Sequence, residues 1–173
     1  MKVISSVERF SSRIFTVTED VAVAPDGFEI QRHIIRHPGA AVVMPVDEEK
    51  RILLVRQFRL PARRKLWELC AGRLDAGETP LQAAKRELRE ETGWRARQWK
   101  KLASYWPSPG FLEEKMHVYL ATGLTAGDSQ WMDDERIETR WFAEREVDDL
   151  IRRGRVDDGK TLVGFLVWRR YHR

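Results

Sequence analysis

The stretch Gly72–Trp94 reads G-R-L-D-A-G-E-T-P-L-Q-A-A-K-R-E-L-R-E-E-T-G-W, and it marks both ends of a helix. Thr79 is a favourable N-cap, and Pro80 suits the first helical position. Gln82 lies three residues after Thr79, where its side chain completes a capping box. Gly93 supplies the left-handed residue with which many helices end. The sequence therefore predicts a helix that begins at Pro80 and ends just before Gly93.

One face of this helix is apolar and the face beside it is acidic. The apolar stripe consists of Leu81, Ala84 and Leu88, and the acidic face of Glu87, Glu90 and Glu91. Like charges at i,i+3 and i,i+4 repel, and the helix dipole disfavours anions near the C-terminus. The acidic face is therefore either a solvated surface balanced by Lys85, Arg86 and Arg89, or a ligand site. Three convergent carboxylates are donors that a hard divalent cation prefers.

The spacing of this stretch resembles the Nudix box. Its fixed positions are filled by Gly72, Glu78, Arg86, Glu87, Leu88, Glu90, Glu91 and Gly93. Trp94 stands where the family usually has an aliphatic residue. The resemblance implies an α/β fold, the Nudix α/β/α sandwich with a mixed sheet. It also implies Mg²⁺-dependent hydrolysis of a nucleoside diphosphate linked to another moiety, with Mn²⁺ as a possible substitute.

Four further segments resemble the ADP-ribose pyrophosphatase branch, which hydrolyses nucleoside diphosphate sugars. They are V-R-Q-F-R-L-P (55–61), W-E-L-C-A-G (67–72), the turn S-P-G-F (108–111) with Glu114, and R-R-G-R-V-D-D-G-K-T-L (152–162). A Pro-Gly turn alone is common, so the assignment depends on the segments together with the box. The resemblance implies that ADP-ribose is split into AMP and ribose 5-phosphate. The alternatives are GDP-mannose or another nucleotide sugar, and a non-catalytic nucleotide- or RNA-binding Nudix module.

The resemblance also implies roles for individual residues. The metal ligands are Glu87, Glu90, Glu91 and the carbonyl of Ala71. The substrate-binding residues are Arg59, Ser108, Pro109, Gly110 and Glu114. The catalytic residues are Glu90, Glu91 and Glu135. The base that activates water is open among Asp133, Asp134, Glu135 and Glu138; Glu135 is favoured because the family's loop carries a similar glutamate. An acidic run such as this is equally typical of a solvated loop.

The rest of the chain predicts strands with two further helices. The predicted strands lie at 3–18, 27–36, 40–46, 51–58, 67–71, 97–106, 115–122 and 137–142, and the helices at 144–153 and 161–171. We expect 40–46 and 51–58 to form a buried hairpin. Residues 1–36 resemble the antiparallel N-terminal β-subdomain of nucleotide-sugar hydrolases, which commonly takes part in a homodimer. We therefore expect 1–36 to be a dimerisation arm and 37–173 to be the hydrolase domain.

Composition narrows the class of protein. The 173 residues are 42% hydrophobic and 34% charged, as in an ordinary globular domain. No apolar run has membrane-spanning length, the amino terminus has no signal-peptide core, and Cys70 is a lone cysteine. The net charge of +4 is too small to indicate nucleic acid. We expect a cytoplasmic enzyme whose partners are its substrate and a second copy, without nucleic acid or membrane.

Overall fold

The computed structural model describes residues 1–127 and 137–171, and the chain divides into two compact units. The first unit consists of Met1–Gly39 and Tyr105–Lys115, and the second of Ala40–Ser104 and Met116–Arg173. No helix in the described ranges is long and apolar enough to cross a membrane.

The first unit contains a three-stranded antiparallel sheet. Its strands are β1 (Lys2–Ser11), β2 (Thr16–Val23) and β3 (Glu29–Arg36), in the order β1-β2-β3. A turn precedes β3, in which the Gly27 N–H donates to the Ala24 carbonyl at 3.0 Å. This turn needs glycine, because Gly27 has a φ of 87°.

The single strand predicted over 3–18 is wrong, because a serine turn divides it. The Ser12 hydroxyl accepts hydrogen bonds from the backbone N–H groups of Ile14 and Phe15 and donates to the Phe15 carbonyl. A side chain that satisfies its neighbours' backbone in this way competes with the strand ladder. The chain therefore reverses after Ser11 and continues as β2.

The second unit is built on a four-stranded mixed sheet. Its strands are β4 (Ala40–Pro45), β7 (Cys70–Arg73), β8 (Trp94–Tyr105) and β9 (Met116–Ala126), in the order β7-β4-β9-β8. β4 pairs parallel with β9 and antiparallel with β7. Every residue of β4 is buried, as expected for a central strand that is covered on both faces.

A three-stranded sheet lies in the same unit. It consists of β5 (Ile52–Arg59), β6 (Arg64–Glu68) and β10 (Glu138–Phe142), in the order β10-β5-β6. The predicted hairpin between β4 and β5 is therefore wrong, since the two strands lie in different sheets. A single bridge between Val46 and Ile52 joins them. Both edges of β4 are already paired, by β7 and β9, so β5 has no edge to join.

The strand predicted over 67–71 is also divided. β6 ends at Glu68 and β7 begins at Cys70, so the chain passes from one sheet to the other at Leu69. Leu69 itself is buried. No glycine, proline or other turn residue marks the crossing, so the sequence gives no sign that the strand changes partners.

Helices cover both faces of the four-stranded sheet. Helix α1 (Pro80–Thr92) packs its buried residues Ala83, Ala84 and Leu88 against Ala41, Val43, Tyr119 and Ala121. Helix α3 (Gly159–Tyr171) lies on the opposite face, where Gly164 approaches Leu69 and Val118. Helix α2 (Glu144–Arg152) follows β10. The predicted α/β/α sandwich with a mixed sheet is confirmed.

Both predicted ends of α1 are confirmed. The Gln82 N–H donates to the Thr79 hydroxyl at 3.4 Å, and the Thr79 N–H donates to the Gln82 side chain at 2.9 Å. Gly93 adopts a φ of 74°, and its N–H donates to the Arg89 carbonyl at 2.8 Å. The local sequence therefore sets where α1 begins and ends.

We predict that Thr79→Ala lowers the free energy of unfolding by about 1 kcal/mol, because the first turn of α1 loses its side-chain cap. Urea unfolding followed by far-UV circular dichroism measures the change. Lys85→Ala, an exposed change in the middle of the same helix, is the matched control and should shift the unfolding midpoint very little. Equal midpoints for Thr79→Ala and the unsubstituted protein would contradict the role of the cap.

Candidate active site

Two glutamates of α1 are buried against β7. Glu87 and Glu91 lie one helical turn apart and keep only 9% and 4% of their surface exposed. Burying a carboxylate is unfavourable unless hydrogen bonds or positive charges compensate for the lost water. The groups that surround this pair therefore determine what the site can do.

Gly72 makes room for the Glu87 side chain. A Cβ atom built on Gly72 would lie 1.9 Å from Oε1 of Glu87, closer than any real contact. The backbone of Gly72 is not in the left-handed region, so its conformation does not require glycine. The glycine of the box is therefore needed for close approach, because it leaves a cradle that the carboxylate fills.

Arg86 joins the glutamates of the box to one another. Its Nε and Nη2 atoms donate to the two oxygens of Glu78 at 3.0 and 2.9 Å, and Nη1 donates to Glu87 and, at 3.1 Å, to Glu90. Nη2 also donates to the Arg73 carbonyl at 2.9 Å. The hydrogen bond to Glu78 is the largest of several interactions that raise the pKa of Arg86 far above its usual range. Arg86 therefore stays charged and fixes three carboxylates at once.

Glu78 anchors the loop that precedes α1. Its Oε2 atom accepts a hydrogen bond from the Asp75 N–H at 3.1 Å, so the loop folds back on this carboxylate. The hydrogen bond from Arg86 lowers the pKa of Glu78 below its usual value. Glu78 is therefore ionised at neutral pH and connects the loop to the helix.

Glu91 reaches the edge of β7. Its Oε2 atom accepts a hydrogen bond from the Ala71 N–H at 3.2 Å. The N–H and C=O groups of one strand residue point to the same side of the strand. The Ala71 carbonyl, predicted as a metal ligand, therefore lies on the β7 edge that faces Glu91.

The thiol of Cys70 is buried near the two carboxylates. Burial raises the pKa of Cys70 well above its usual value, and the negative charges of Glu91 and Glu87 raise it further. Cys70 is therefore a protonated thiol at neutral pH.

The donor set fits a hard divalent cation. Glu87, Glu91 and the Ala71 carbonyl offer oxygen atoms, and the cradle at Gly72 keeps the Glu87 carboxylate against β7. Across residues 1–127 and 137–171, no three acidic, histidine or cysteine side chains already stand close enough to form a metal site. Glu90 accepts a hydrogen bond from Arg86, and the Glu90 side chain keeps 21% of its surface exposed.

Arg59, predicted to bind substrate phosphates, lies at the end of β5. It donates Nε and Nη2 to the carboxylate of Glu68 at 2.9 and 2.8 Å. The hydrogen bond that Arg59 donates to Glu68 raises the pKa of Arg59, and the charge of Glu91 adds to this effect. Arg59 therefore lies within electrostatic reach of a predicted metal ligand.

The predicted substrate turn lies in the first unit. The Ser108 carbonyl accepts hydrogen bonds from the N–H groups of Phe111 and Leu112 at 3.3 and 3.0 Å, which closes the turn around Pro109 and Gly110. Beside it is a recess of about 460 Å³ lined in part by Ile30, Ile34, Trp106, Pro109, Gly110 and Phe111.

Glu114, the remaining predicted substrate residue, lies in the same unit. Its Oε1 atom is 3.5 Å from Nδ1 of His37.

The predicted catalytic base, Glu135, lies outside the described residues, as do the alternatives Asp133 and Asp134. Glu138 is exposed on β10, and its carboxylate lies 3.5 Å from Nη1 of Arg56.

Sequence reasoning missed one set of residues near Arg59. Glu68 is buried and contacts both Arg59 and Lys160, which comes from the start of α3. The signal was present in the acidic residue of W-E-L-C-A-G and in the D-x-K-T pattern (158–161). The sequence does not show that these two segments touch, since they are 92 residues apart.

Comparisons with known proteins found a matching family model and several relatives. The NUDIX domain model matches residues 35–163. The methanol dehydrogenase activator of Bacillus methanolicus is 35% identical over 164 residues, which cover 94% of this chain and 89% of that protein. The ADP-ribose pyrophosphatase of Bacillus subtilis (strain 168) is 35% identical over 162 residues, covering 92% of this chain and 88% of that protein. The crystal structure of an ADP compounds hydrolase superimposes with a TM-score of 0.84 at 20% identity, covering 99% of this chain and 94% of that one, and shares the fold.

We predict that Gly72→Ala lowers divalent-metal affinity and hydrolytic activity by about 100-fold, the order expected when a reacting group is displaced by about 1 Å. The new methyl group would occupy the position of the Glu87 carboxylate. Metal affinity is measured by isothermal titration calorimetry with Mn²⁺, and folding is measured by circular dichroism. Gly159→Ala is the control, because its Cβ would meet nothing within 4 Å. Unchanged metal affinity in Gly72→Ala would contradict the role of the cradle.

Proposed function

Because the chain belongs to the Nudix family, we propose that it hydrolyses the pyrophosphate bond of a nucleoside diphosphate sugar, and that ADP-ribose is the preferred substrate. The products are then AMP and ribose 5-phosphate. The observation that carries the proposal is the burial of Glu87 and Glu91 against β7, with the first carboxylate in the Gly72 cradle and the second on the Ala71 N–H.

We propose that Glu87, Glu90, Glu91 and the Ala71 carbonyl hold Mg²⁺, or Mn²⁺ in its place. When bound, the metal supplies positive charge for the phosphate oxygens and lowers the pKa of coordinated water. Arg86 keeps Glu87 and Glu90 in a fixed orientation through its Nη1 atom. This fixed orientation reduces the reorganisation that substrate binding would otherwise require.

The remaining chemistry is assigned to residues outside the box. Arg59 binds oxygens of the pyrophosphate, because its guanidinium is charged, partly exposed and oriented by Glu68. Glu135 accepts the proton of the water that attacks phosphorus, and the bridging P–O bond breaks as the new bond forms. This assignment of the base follows from the family resemblance.

The first unit offers contacts for the organic part of the substrate. Trp106 and Phe111 border the recess beside Pro109 and keep 47% and 53% of their surface exposed. Exposed aromatic rings that border a recess are typical of sites for flat, partly apolar ligands. We propose that Ser108, Pro109, Gly110 and Glu114 help to select the nucleotide sugar.

We also propose that residues 1–36 form a dimerisation arm, that 37–173 form the hydrolase domain, and that the enzyme is a cytoplasmic homodimer. All ten residues of β1 are exposed, and the apolar ones among them include Val3, Ile4, Val7 and Phe10. Exposed apolar side chains grouped on one strand are typical of a surface that another chain covers. A second copy of the chain supplies the same surface with self-complementary symmetry.

A second candidate function retains the fold without hydrolysis. This candidate is a binding module or regulator, and one relative, from Bacillus methanolicus, is named as an activator of methanol dehydrogenase. Such a module does not need two buried carboxylates, which are costly to desolvate. The retention of Glu87 and Glu91 in their buried positions therefore favours an enzyme.

We predict that Glu91→Gln lowers kcat/KM by about 100-fold or more. Removing one group that stabilises the charge of the transition state has an effect of this size in other enzymes. The fold should survive, because the glutamine oxygen can still accept the Ala71 N–H. The assay uses ADP-ribose, GDP-mannose and other nucleotide sugars with Mg²⁺ and with EDTA, and it identifies products by chromatography. The exposed substitution Glu48→Gln is the matched control.

Three outcomes decide the proposal. Mg²⁺-dependent release of AMP and ribose 5-phosphate from ADP-ribose supports it. A clear preference for GDP-mannose would replace the substrate but keep the reaction. No hydrolysis of any nucleotide sugar by the unsubstituted protein would favour the binding module instead.

We predict that the double substitution Ile4→Asp and Val7→Asp converts a dimer into a monomer. Both side chains are exposed, with 58% and 42% of their surface accessible, so the charges are tolerated in a single chain but not in an interface. Sedimentation velocity measures the mass. Glu8→Ala on the same strand is the control and should leave the dimer intact. A monomeric unsubstituted protein would contradict the proposed arm.

A further inference from the structure

A buried ionic network lies behind Arg59. The Glu68 side chain keeps only 1% of its surface exposed and accepts two hydrogen bonds from the Arg59 guanidinium. The buried ammonium of Lys160, in the first turn of α3, bonds the Oε2 atom of the same carboxylate. Glu68 is therefore fixed between two cations that come from distant parts of the chain.

The position of Lys160 is itself fixed by the start of α3. Asp158 accepts a hydrogen bond from the Lys160 ammonium at 3.0 Å through Oδ1. Its other oxygen accepts the Thr161 N–H at 3.0 Å and the Thr161 hydroxyl at 2.6 Å, so Asp158 also caps the helix. The same hydroxyl accepts the Leu69 N–H at 2.8 Å. The first turn of α3 therefore bonds both Glu68 and the residue after it.

Stability alone gives little reason to keep these charges. A buried ion pair is often no more stabilising than well-packed apolar side chains of the same volume, because both ions lose their water. Burial of Glu68 tends to raise its pKa, yet the hydrogen bonds and charges of Arg59 and Lys160 keep that pKa below its usual value. The carboxylate therefore remains ionised and continues to accept the Arg59 fork.

The network determines which edge of Arg59 is left for a ligand. Nε and Nη2 are engaged with Glu68, whereas Nη1 makes no hydrogen bond within the described part of the chain. The Arg59 side chain keeps 40% of its surface exposed. If the Glu68 carboxylate could rotate, the guanidinium plane would rotate with it, and a contact of Nη1 with phosphate would lose its geometry.

We propose that Lys160, together with Asp158 and Thr161, is a positioning residue that holds Glu68 and thereby orients Arg59 towards the pyrophosphate of the substrate. The proposal rests on the proposed function, because it takes Arg59 to be a phosphate-binding group. It assigns the start of α3 a role in substrate recognition in addition to its role in folding. Lys160 itself does not contact substrate.

A double-mutant cycle between Lys160 and Arg59 tests this role. We expect Lys160→Met, which keeps the length of the side chain, to raise KM for ADP-ribose by about tenfold, within the coupling range of contacting groups. The kcat should change less than KM. Arg59→Ala should raise KM by at least as much, and adding Lys160→Met to it should raise KM no further, because the residue to be oriented is already gone. Lys101→Met, an exposed lysine on β8, is the matched control.

A binding measurement separates orientation from general damage to the enzyme. The Glu91→Gln variant hydrolyses ADP-ribose slowly, so its affinity for ADP-ribose can be measured by isothermal titration calorimetry, with and without the further substitutions. Lys160→Met should weaken this affinity by the same factor as it raises KM. Thr161→Val, which removes the hydroxyl that Asp158 and Leu69 share, should weaken it in the same direction. If Lys160→Met does not fold, Thr161→Val takes its place in the double-mutant cycle with Arg59→Ala.

The outcomes distinguish this inference from the proposed function. Additive effects of Lys160→Met and Arg59→Ala, or an unchanged KM in Lys160→Met, overturn the positioning role while the hydrolase assignment stands. The absence of hydrolysis in the unsubstituted protein overturns the proposed function, and an unchanged KM in Arg59→Ala overturns the phosphate-binding role of that residue. Non-additive effects on KM with little change in kcat support the inference.

Discussion

The fork of Arg86 is the interaction on which the candidate site depends. One guanidinium binds Glu78, Glu87 and Glu90 and also the Arg73 carbonyl, so the loop and the helix are connected through a single side chain. Without this cation, like charges would stand one turn apart near the C-terminal end of α1, where the helix dipole also disfavours them. A lysine could not replace it, because an ammonium lacks the planar fork that serves several acceptors at once.

Features coded by neighbouring residues could be predicted from the sequence. The boundaries of α1 follow from Thr79, Gln82 and Gly93, because each acts on backbone groups within a few residues of itself. The family was predicted from the spacing of the box and is confirmed by the match over residues 35–163. Even the requirement for Gly72 was visible as a fixed position. The structure adds the reason for it, which is the carboxylate that fills the space.

Features that depend on distant partners could not be predicted in the same way. The apolar run of β4 indicated a buried strand but not which strands pair with it, so its assignment to a hairpin with β5 was wrong. The division of residues 67–71 at Leu69 was missed because no glycine, proline or other turn residue marks the crossing. The contact of Lys160 with Glu68 joins residues 92 positions apart, and no periodicity reports such a contact. The position of the catalytic base stays a prediction, since Glu135 lies outside the described residues.

The crossing at Leu69 has a consequence for recombining this domain with its relatives. Glu68 accepts a hydrogen bond from Arg59, and the Ala71 N–H donates one to Glu91. The segment from Glu68 to Ala71 that joins these two contacts has only four residues, and four extended residues span about 13 Å. A chimera whose junction falls inside this segment would combine Arg59 from one parent with the glutamates of α1 from the other. Junctions placed in the turns before β5 and after α1 would keep that unit whole. The first turn of α3 would have to come from the same parent, because Thr161 and Lys160 bond Leu69 and Glu68 directly.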